Sequence, residues 1–222
     1  MRDIFALLKD VNPMDTERFA EISTKVLLDL VSDDLPTLRD LITALPHDEE
    51  LAAMCESLVL LDKLVLYKKH GFRLRLHIFR HDVEDLPHNH RFPFTTLILK
   101  GGYRHNIYGK ESDVLSGPSI KQPILTQKVQ AGSIYTISQE AVHSAVAEPG
   151  TMSLMIRSAS VLESALFTDP GTRMQRRQRA SSVTDKAVRE KEVMPKPCLE
   201  QLVKGLAALE IPDLTHYRAL LR

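Results

Sequence analysis

At Gly71 the hydrophobic period of this 222-residue chain changes, and no other feature limits its fold as much. Before that point apolar residues recur at helical spacing. Phe19, Ile22, Val26, Leu27 and Leu30 follow a cap at Asp15 or Thr16, a period near 3.6. A second, short helix entered through Leu35-Pro36 carries Leu38, Leu41, Ile42 and Leu45, proline being suited to a first helical turn. A third is expected from Glu49 to Lys69, with Gly71 in the left-handed position that follows many helices. From Phe72 the residues alternate instead. Phe72, Leu74, Leu76 and Ile78 point one way, and Arg73, Arg75, His77 and Phe79 the other. A period of two is a strand.

Further strands are expected at 94–100, 103–108, 124–129, 133–137, 142–147 and 152–157. Turn signals divide them at Gly101-Gly102, Gly117-Pro118, Ala131-Gly132 and Pro149-Gly150. Many short strands at close spacing indicate an antiparallel sandwich or barrel. No long helix lies between them, which argues against a parallel βαβ sheet. The chain therefore reads as α+β: a helical segment over 1–70 packing on a β-barrel over 71–168, then a polar linker and partly helical tail over 169–222. In that tail Arg173, Arg176, Arg177 and Arg179 read as a solvated linker, and 184–194 and 198–209 as helices.

Composition removes several classes of function. Apolar residues make up 43 %, enough for a proper core. Formal net charge is zero, so nothing global points to nucleic acid or an anionic membrane. No apolar run approaches the roughly 20 residues that span a bilayer, and the first residues, MRDIFALLKDVNPMD, lack the pattern of a secretory signal. Cys55 and Cys198 lie far apart with no disulfide or zinc spacing, so a reducing, cytoplasmic setting is the expectation.

The histidines carry the chemistry. Five of the nine fall between His77 and His105. His88 and His90, two apart in extended chain, point to one face, so their imidazoles can share a metal ion. Gly101-Gly102 follows at the distance of one strand and a turn. Gly132 and, eleven residues on, His143 come later in the chain.

This pairing resembles the cupin superfamily, whose two motifs are G-x5-H-x-H-x3,4-E-x6-G and G-x5-P-x-G-x2-H-x3-N. His88, His90 and Gly101 or Gly102 match the first, and Gly132 and His143 the second; the resemblance spans residues 72 to 157. The surrounding sequence also resembles a group of bacterial cupins in which a His-x-His site is followed by a Gly-Gly-Tyr turn. The chain departs from the pattern where the family glutamate falls on Phe94 or Thr95. It departs again at Asp82, at Ser138-Gln139-Glu140 and at Ala147. The resemblance implies a double-stranded β-helix with a metal in its mouth, held by His88, His90 and His143 without a carboxylate. That ligand set is similar to the thiol (cysteine) dioxygenases. It implies iron(II), although three imidazoles also suit zinc, nickel or copper.

Around that centre the alternation of β residues proposes other groups. If the apolar face of 72–81 packs on the helices, Arg75 and His77 face the pocket. Arg75 then holds a substrate carboxylate or makes a surface salt bridge; His77 is an acid–base group or a structural histidine. Tyr103 and His105 share one face; His105 orients substrate or adds a ligand. Tyr135 and Arg157 are further substrate-binding candidates, and Glu140 a candidate replacement carboxylate. The leading expectation is a non-haem iron(II) oxygenase taking a small-molecule substrate and dioxygen, associating as a homodimer. Two alternatives stay open: a non-oxidative metal-dependent lyase, isomerase or hydrolase, and a non-enzymatic small-molecule-binding cupin.

Overall fold

The computed structural model describes residues 3–31, 36–82, 84–116, 122–172, 174–179 and 192–207. Helix α1 runs Thr16–Leu30, with the Asp15 carboxylate accepting the Arg18 N–H at 3.0 Å as its N-cap. Helix α2 follows at Pro36–Ala44, and α3 is a single turn, Glu49–Ala52. Expectation and structure part here. The stretch assigned to one long helix holds only α3, and then strands β1 (Glu56–Ser57) and β2 (Leu61–Lys69). Strand β2 pairs antiparallel with β3 (Phe72–Phe79), Lys69 opposite Phe72. Gly71 therefore closes a hairpin instead of a helix. His70 (φ 51°) and Gly71 (φ 82°) both take positive φ, the conformation of a two-residue type I′ turn.

The remaining strands are β4 (Phe94–Lys100), β5 (Gly102–Lys110), β6 (Leu125–Gln130), β7 (Ile134–Ile137), β8 (Ala141–Ala147) and β9 (Met152–Arg157). Helix α4 (Glu111–Ser116) follows β5. The large sheet has the order β1-β2-β3-β9-β4-β7 and the small one β6-β5-β8. The segment around His88 adds itself to the free edge of β8, with backbone bonds His88 N to His143 O (2.9 Å) and His143 N to His88 O (2.8 Å). From β3 onward, apart from the β5–β6 hairpin, the chain passes back and forth between two antiparallel sheets, the order of a jelly roll.

One element departs from the linker reading of the tail. Gln175–Arg179 is β11, antiparallel to β10 (Ser164–Thr168), which lies at the end of the stretch assigned to the barrel. Strand β10 meets the 87–89 segment through Asn89 N to Leu166 O (3.1 Å) and Thr168 N to Pro87 O (2.8 Å). Arg176, Arg177 and Arg179 are thus on an exposed strand; Arg173 and most of the expected 184–194 helix lie outside the described residues. Helix α5, Lys196–Ala207, matches the other expected tail helix.

The main hydrophobic core lies outside the barrel. Phe19, Ile22, Val26 and Leu27 of α1, with Leu199 and Val203 of α5, pack on the outer face of the large sheet against Leu64, Leu66, Leu74, Leu76, Leu97, Leu154 and Ile156. A hydroxyl chain crosses the same interface: Ser23 Oγ to Thr95 Oγ1 at 2.5 Å, and Thr95 to Thr136 at 2.8 Å. The barrel interior holds the histidines and arginines between two smaller apolar and aromatic groups. Where β4 crosses to β5, a Cβ on Gly102 would stand 2.5 Å from Val129 O, and Gly101 takes φ 70°, which makes the pair of glycines a steric requirement. Among the described residues no helix is long and apolar enough to cross a membrane. Cys55 is buried and Cys198 exposed, and both are free thiols.

Candidate metal centre

Cross-strand register decides which side chains share the barrel interior. On the large sheet, Arg73 is opposite Arg157, Arg75 opposite Met155, and His77 opposite Ser153; β4 adds Phe94, Thr96 and Ile98 in the same rows, and β7 adds Tyr135 opposite Thr96. On the small sheet Tyr103, His105 and Ile107 pair with Ala147, Ala145 and His143. All of these form the inner rows. One end is closed by an apolar group of Ile98, Tyr103, Val129 and Ala147, with Phe79 against it. At the other, Phe92, Phe94, Ile137 and Met155 line the mouth.

His88, His90 and His143 meet in that mouth. Their ligand nitrogens all lie within 4.8 Å of one another, and their ring centroids are 4.7, 4.9 and 5.0 Å apart. The Nε2 atoms of His90 and His143 are 2.8 Å apart. Two imidazole nitrogens each bonded at about 2.1 Å to one ion stand about 3 Å from each other, so the donors fit a divalent metal. Tautomers are set from behind. His88 Nδ1 lies 2.8 Å from the Leu86 carbonyl, which can only accept, so Nδ1 carries the proton and Nε2 faces the other rings. Asp85, 3.7 Å from the same nitrogen, reinforces this, with its Oδ1 accepting the Ala145 N–H at 2.6 Å. His143 Nδ1 lies 2.9 Å from His105 Nε2. His105 thus stands behind His143, on the side away from His90. It is not one of the three histidines of the metal-type group. Burial and then His88 pull His105 down to about 4; burial first, then neighbouring histidines, puts His90 and His143 well below the ordinary range. Rings that stay neutral keep lone pairs for a metal.

The other candidates fall into place around this trio. Glu140 is exposed and reaches Lys110 at 3.6 Å, so it does not replace the missing carboxylate. Tyr103 and Tyr135 join their hydroxyls in a hydrogen bond, and the Tyr135 ring lies 4.8 Å from His105. Burial raises both phenols, Tyr135 to about 12; they stay protonated. His77 is buried, its Nε2 without a protein partner, and is lowered well below its ordinary value by burial, Lys63 and Arg75. Arg75 and Arg157 both lie over the Phe92 ring, at 5.9 and 4.4 Å, and Phe92 stands 5.7 Å from His90. The expected substrate-facing arginines therefore share an aromatic neighbour with a metal-type histidine. A groove of about 620 Å³ lined by Glu84, Arg104, Asn106 and Tyr108 lies on the outer face of the small sheet and holds none of the three histidines.

Two supports were not anticipated. Asn89, fully buried between the two histidines, turns to the other side, as period two requires. Its Nδ2 donates to Glu111 at 2.6 Å and its Oδ1 accepts the Leu166 N–H at 2.7 Å. Phe167 stacks on His88 with centroids 5.0 Å apart and planes 9° from parallel. A polar residue between two inward histidines was a readable signal; Phe167 had none, because its strand is recognised only by its pairing.

No protein-family model matches the sequence, and neither does any curated protein. Solved structures similar to it include an RmlC-like cupin from Shewanella frigidimarina NCIMB 400 (18 % identity, 48 % of this chain and 84 % of the other, TM-score 0.38). KdgF from Halomonas sp. (15 %, 46 % and 85 %, 0.37) and the Cnp3 cupin domain of Schizosaccharomyces pombe (10 %, 47 % and 68 %, 0.36) are others. Such distant likeness says nothing of what this chain binds. Its own strand pairings carry the conclusion: the chain folds as a two-sheet antiparallel jelly roll, with three histidines in its mouth that can hold a divalent metal.

Proposed function

We propose that the chain is a metal-dependent enzyme, a non-haem iron(II) oxygenase acting on a small polar molecule, with His88, His90 and His143 holding the ion. The observation that carries this reading is the convergence of three imidazoles in the barrel mouth with no carboxylate in the group. When bound there, iron(II) supplies the activation of dioxygen that protein side chains lack. The chain's own groups do the rest. Phe92, Phe94 and Met155 keep water from the mouth. Arg75 and Arg157, beside Phe92, grip the charged end of the substrate. The neutral imidazole of His77 offers an unpartnered Nε2 for a proton. The joined hydroxyls of Tyr103 and Tyr135 supply neutral hydrogen-bond donors deeper in the barrel, and His105 keeps the proton on the rear nitrogen of His143.

The test is elemental analysis of the purified protein after anaerobic reconstitution with iron(II), beside a folded His88→Ala/His143→Ala variant. Oxygen uptake with small thiols, amines and carboxylic acids follows. Near-stoichiometric iron lost in the variant, with substrate-dependent oxygen uptake, is the expected result. Zinc or nickel retained with no uptake moves the chemistry to a non-oxidative lyase, isomerase or hydrolase. A protein that holds no metal is not this enzyme.

A further inference from the structure

The barrel mouth gathers guanidinium groups. Arg73 on β3 and Arg157 on β9 stand directly opposite one another, a placement that like charges normally avoid because it destabilises the pair. Arg75 is the next inward-facing residue on β3. Arg91 follows His90 in the chain, and burial first, then Arg75, Arg73 and Arg91, lowers Arg157 to about 8. Arg157 is only 6 % exposed. Its Nη1 donates to Ser158 O at 2.8 Å, but its Nε is buried without a partner, as is the Nε of Arg75. Among the described residues no carboxylate lies within ion-pair distance of any of the four. Glu56, which acts on Arg73 and Arg75, is itself held by Lys63 at 3.2 Å.

Buried guanidinium groups without counter-charge are costly, and a planar fork with free N–H groups matches a carboxylate or phosphate. A single carboxylate satisfies one fork. One buried and one half-buried fork, each with a buried, unpartnered Nε and flanked by two more cations, call for at least two negative charges. We propose that Arg73, Arg75, Arg91 and Arg157 bind a dianionic end of the substrate, a phosphate group or a pair of carboxylates, and present its other end past Phe92 to the three histidines. The word substrate rests on the function proposed above; the anion site itself does not.

The test is calorimetric titration of the full chain with inorganic phosphate, succinate and acetate. It is run on metal-free protein with the chelator dialysed away, and again after metal reconstitution. A dianion is expected to bind at least tenfold more tightly than acetate. Arg157→Met is expected to weaken that binding tenfold or more while its melting temperature in anion-free buffer stays at or above that of the parent, because like-charge repulsion is relieved. Arg91→Gln, at a half-buried position that does not endanger folding, is expected to weaken it by a smaller factor. Tight phosphate with weak succinate assigns a phosphate group, and the converse assigns paired carboxylates. Equal affinity for acetate and the dianions, or unchanged affinity in both variants, overturns the proposal. Dianion binding by a protein that takes up no metal removes the oxygenase reading and leaves this one. Metal uptake without preference for dianions does the reverse.

Discussion

Replacing His105 tests how the metal centre is held. His105 is fully buried, and its Nε2 meets the Nδ1 of His143 at 2.9 Å. With His143 Nε2 turned toward His90, Nδ1 carries the proton and His105 accepts it. His105→Phe fills the space but removes the acceptor. A buried N–H left without a partner costs about 1–3 kcal/mol. Loss of an outer partner to a metal-binding histidine lowers metal affinity about 10–100-fold, or about 1.4–2.8 kcal/mol. The two figures agree because they describe one bond. His105→Gln, whose amide oxygen still accepts, is expected to recover part of the loss. The assay is anaerobic competition of the protein with a chelator of known affinity, alongside melting of the metal-free forms. A cost of that size lowers melting by about 2–4 °C per kcal/mol in a chain of this length. Metal affinity within twofold of the parent in His105→Phe, or no advantage of Gln over Phe, would refute the reasoning and make His105 a filler of the barrel.

Three further expectations follow from the same contacts. Four interior histidines, His77, His90, His105 and His143, are held below their ordinary value of 6.5, His105 to about 4. The native state stays neutral there while the unfolded chain takes up protons. Stability of the metal-free protein is therefore whole above about pH 6.5 and falls as pH drops toward 4, by about 1.4 kcal/mol per pH unit for each extra proton bound by the unfolded chain. Urea unfolding at pH 8 and pH 5 measures this, and equal midpoints contradict it. Asn89→Ala removes both side-chain bonds that tie the histidine segment to Glu111 and Leu166; it is expected to cost about 1–3 kcal/mol and to weaken metal binding, read by denaturation and chelator competition. Thr151→Val keeps the shape but loses the bonds of Thr151 Oγ1 to Gly102 N (3.1 Å) and Gly102 O (3.0 Å). A cost of about 1–3 kcal/mol is expected with metal affinity unchanged, because the turn lies at the closed end of the barrel.

The misread segment shows where periodicity stops being informative. Leu61, Leu64 and Val65 recur at helical intervals, and Leu66 adds to the stripe. In the structure they form β2, where Leu64, Val65 and Leu66 are all buried and the register shifts between Val65 and Tyr67. A bulge and burial of consecutive residues erase the alternation that marks a strand. Strand β11 was hidden for the opposite reason. All five of its residues are polar and exposed, so it has no apolar face to read.

What the sequence by itself determined was everything that depends on spacing along one strand or helix: the cap of α1, the apolar stripes of α1 and α2, strands β3 to β9 near their observed bounds, and the shared face of His88 and His90. His143 was legible as well, through the resemblance of Gly132 and His143 to the second cupin motif. Only the tertiary structure decided what depends on pairing between strands far apart in the chain. It set the His88–His143 backbone bridge that closes the ligand group, placed His105 behind His143, put Phe167 on His88, and brought Arg73 opposite Arg157. The physical reason is register. Local alternation tells which face a side chain takes, but not which residue of another strand it will meet, and a slip of one position would turn each of these contacts to the other side of the sheet.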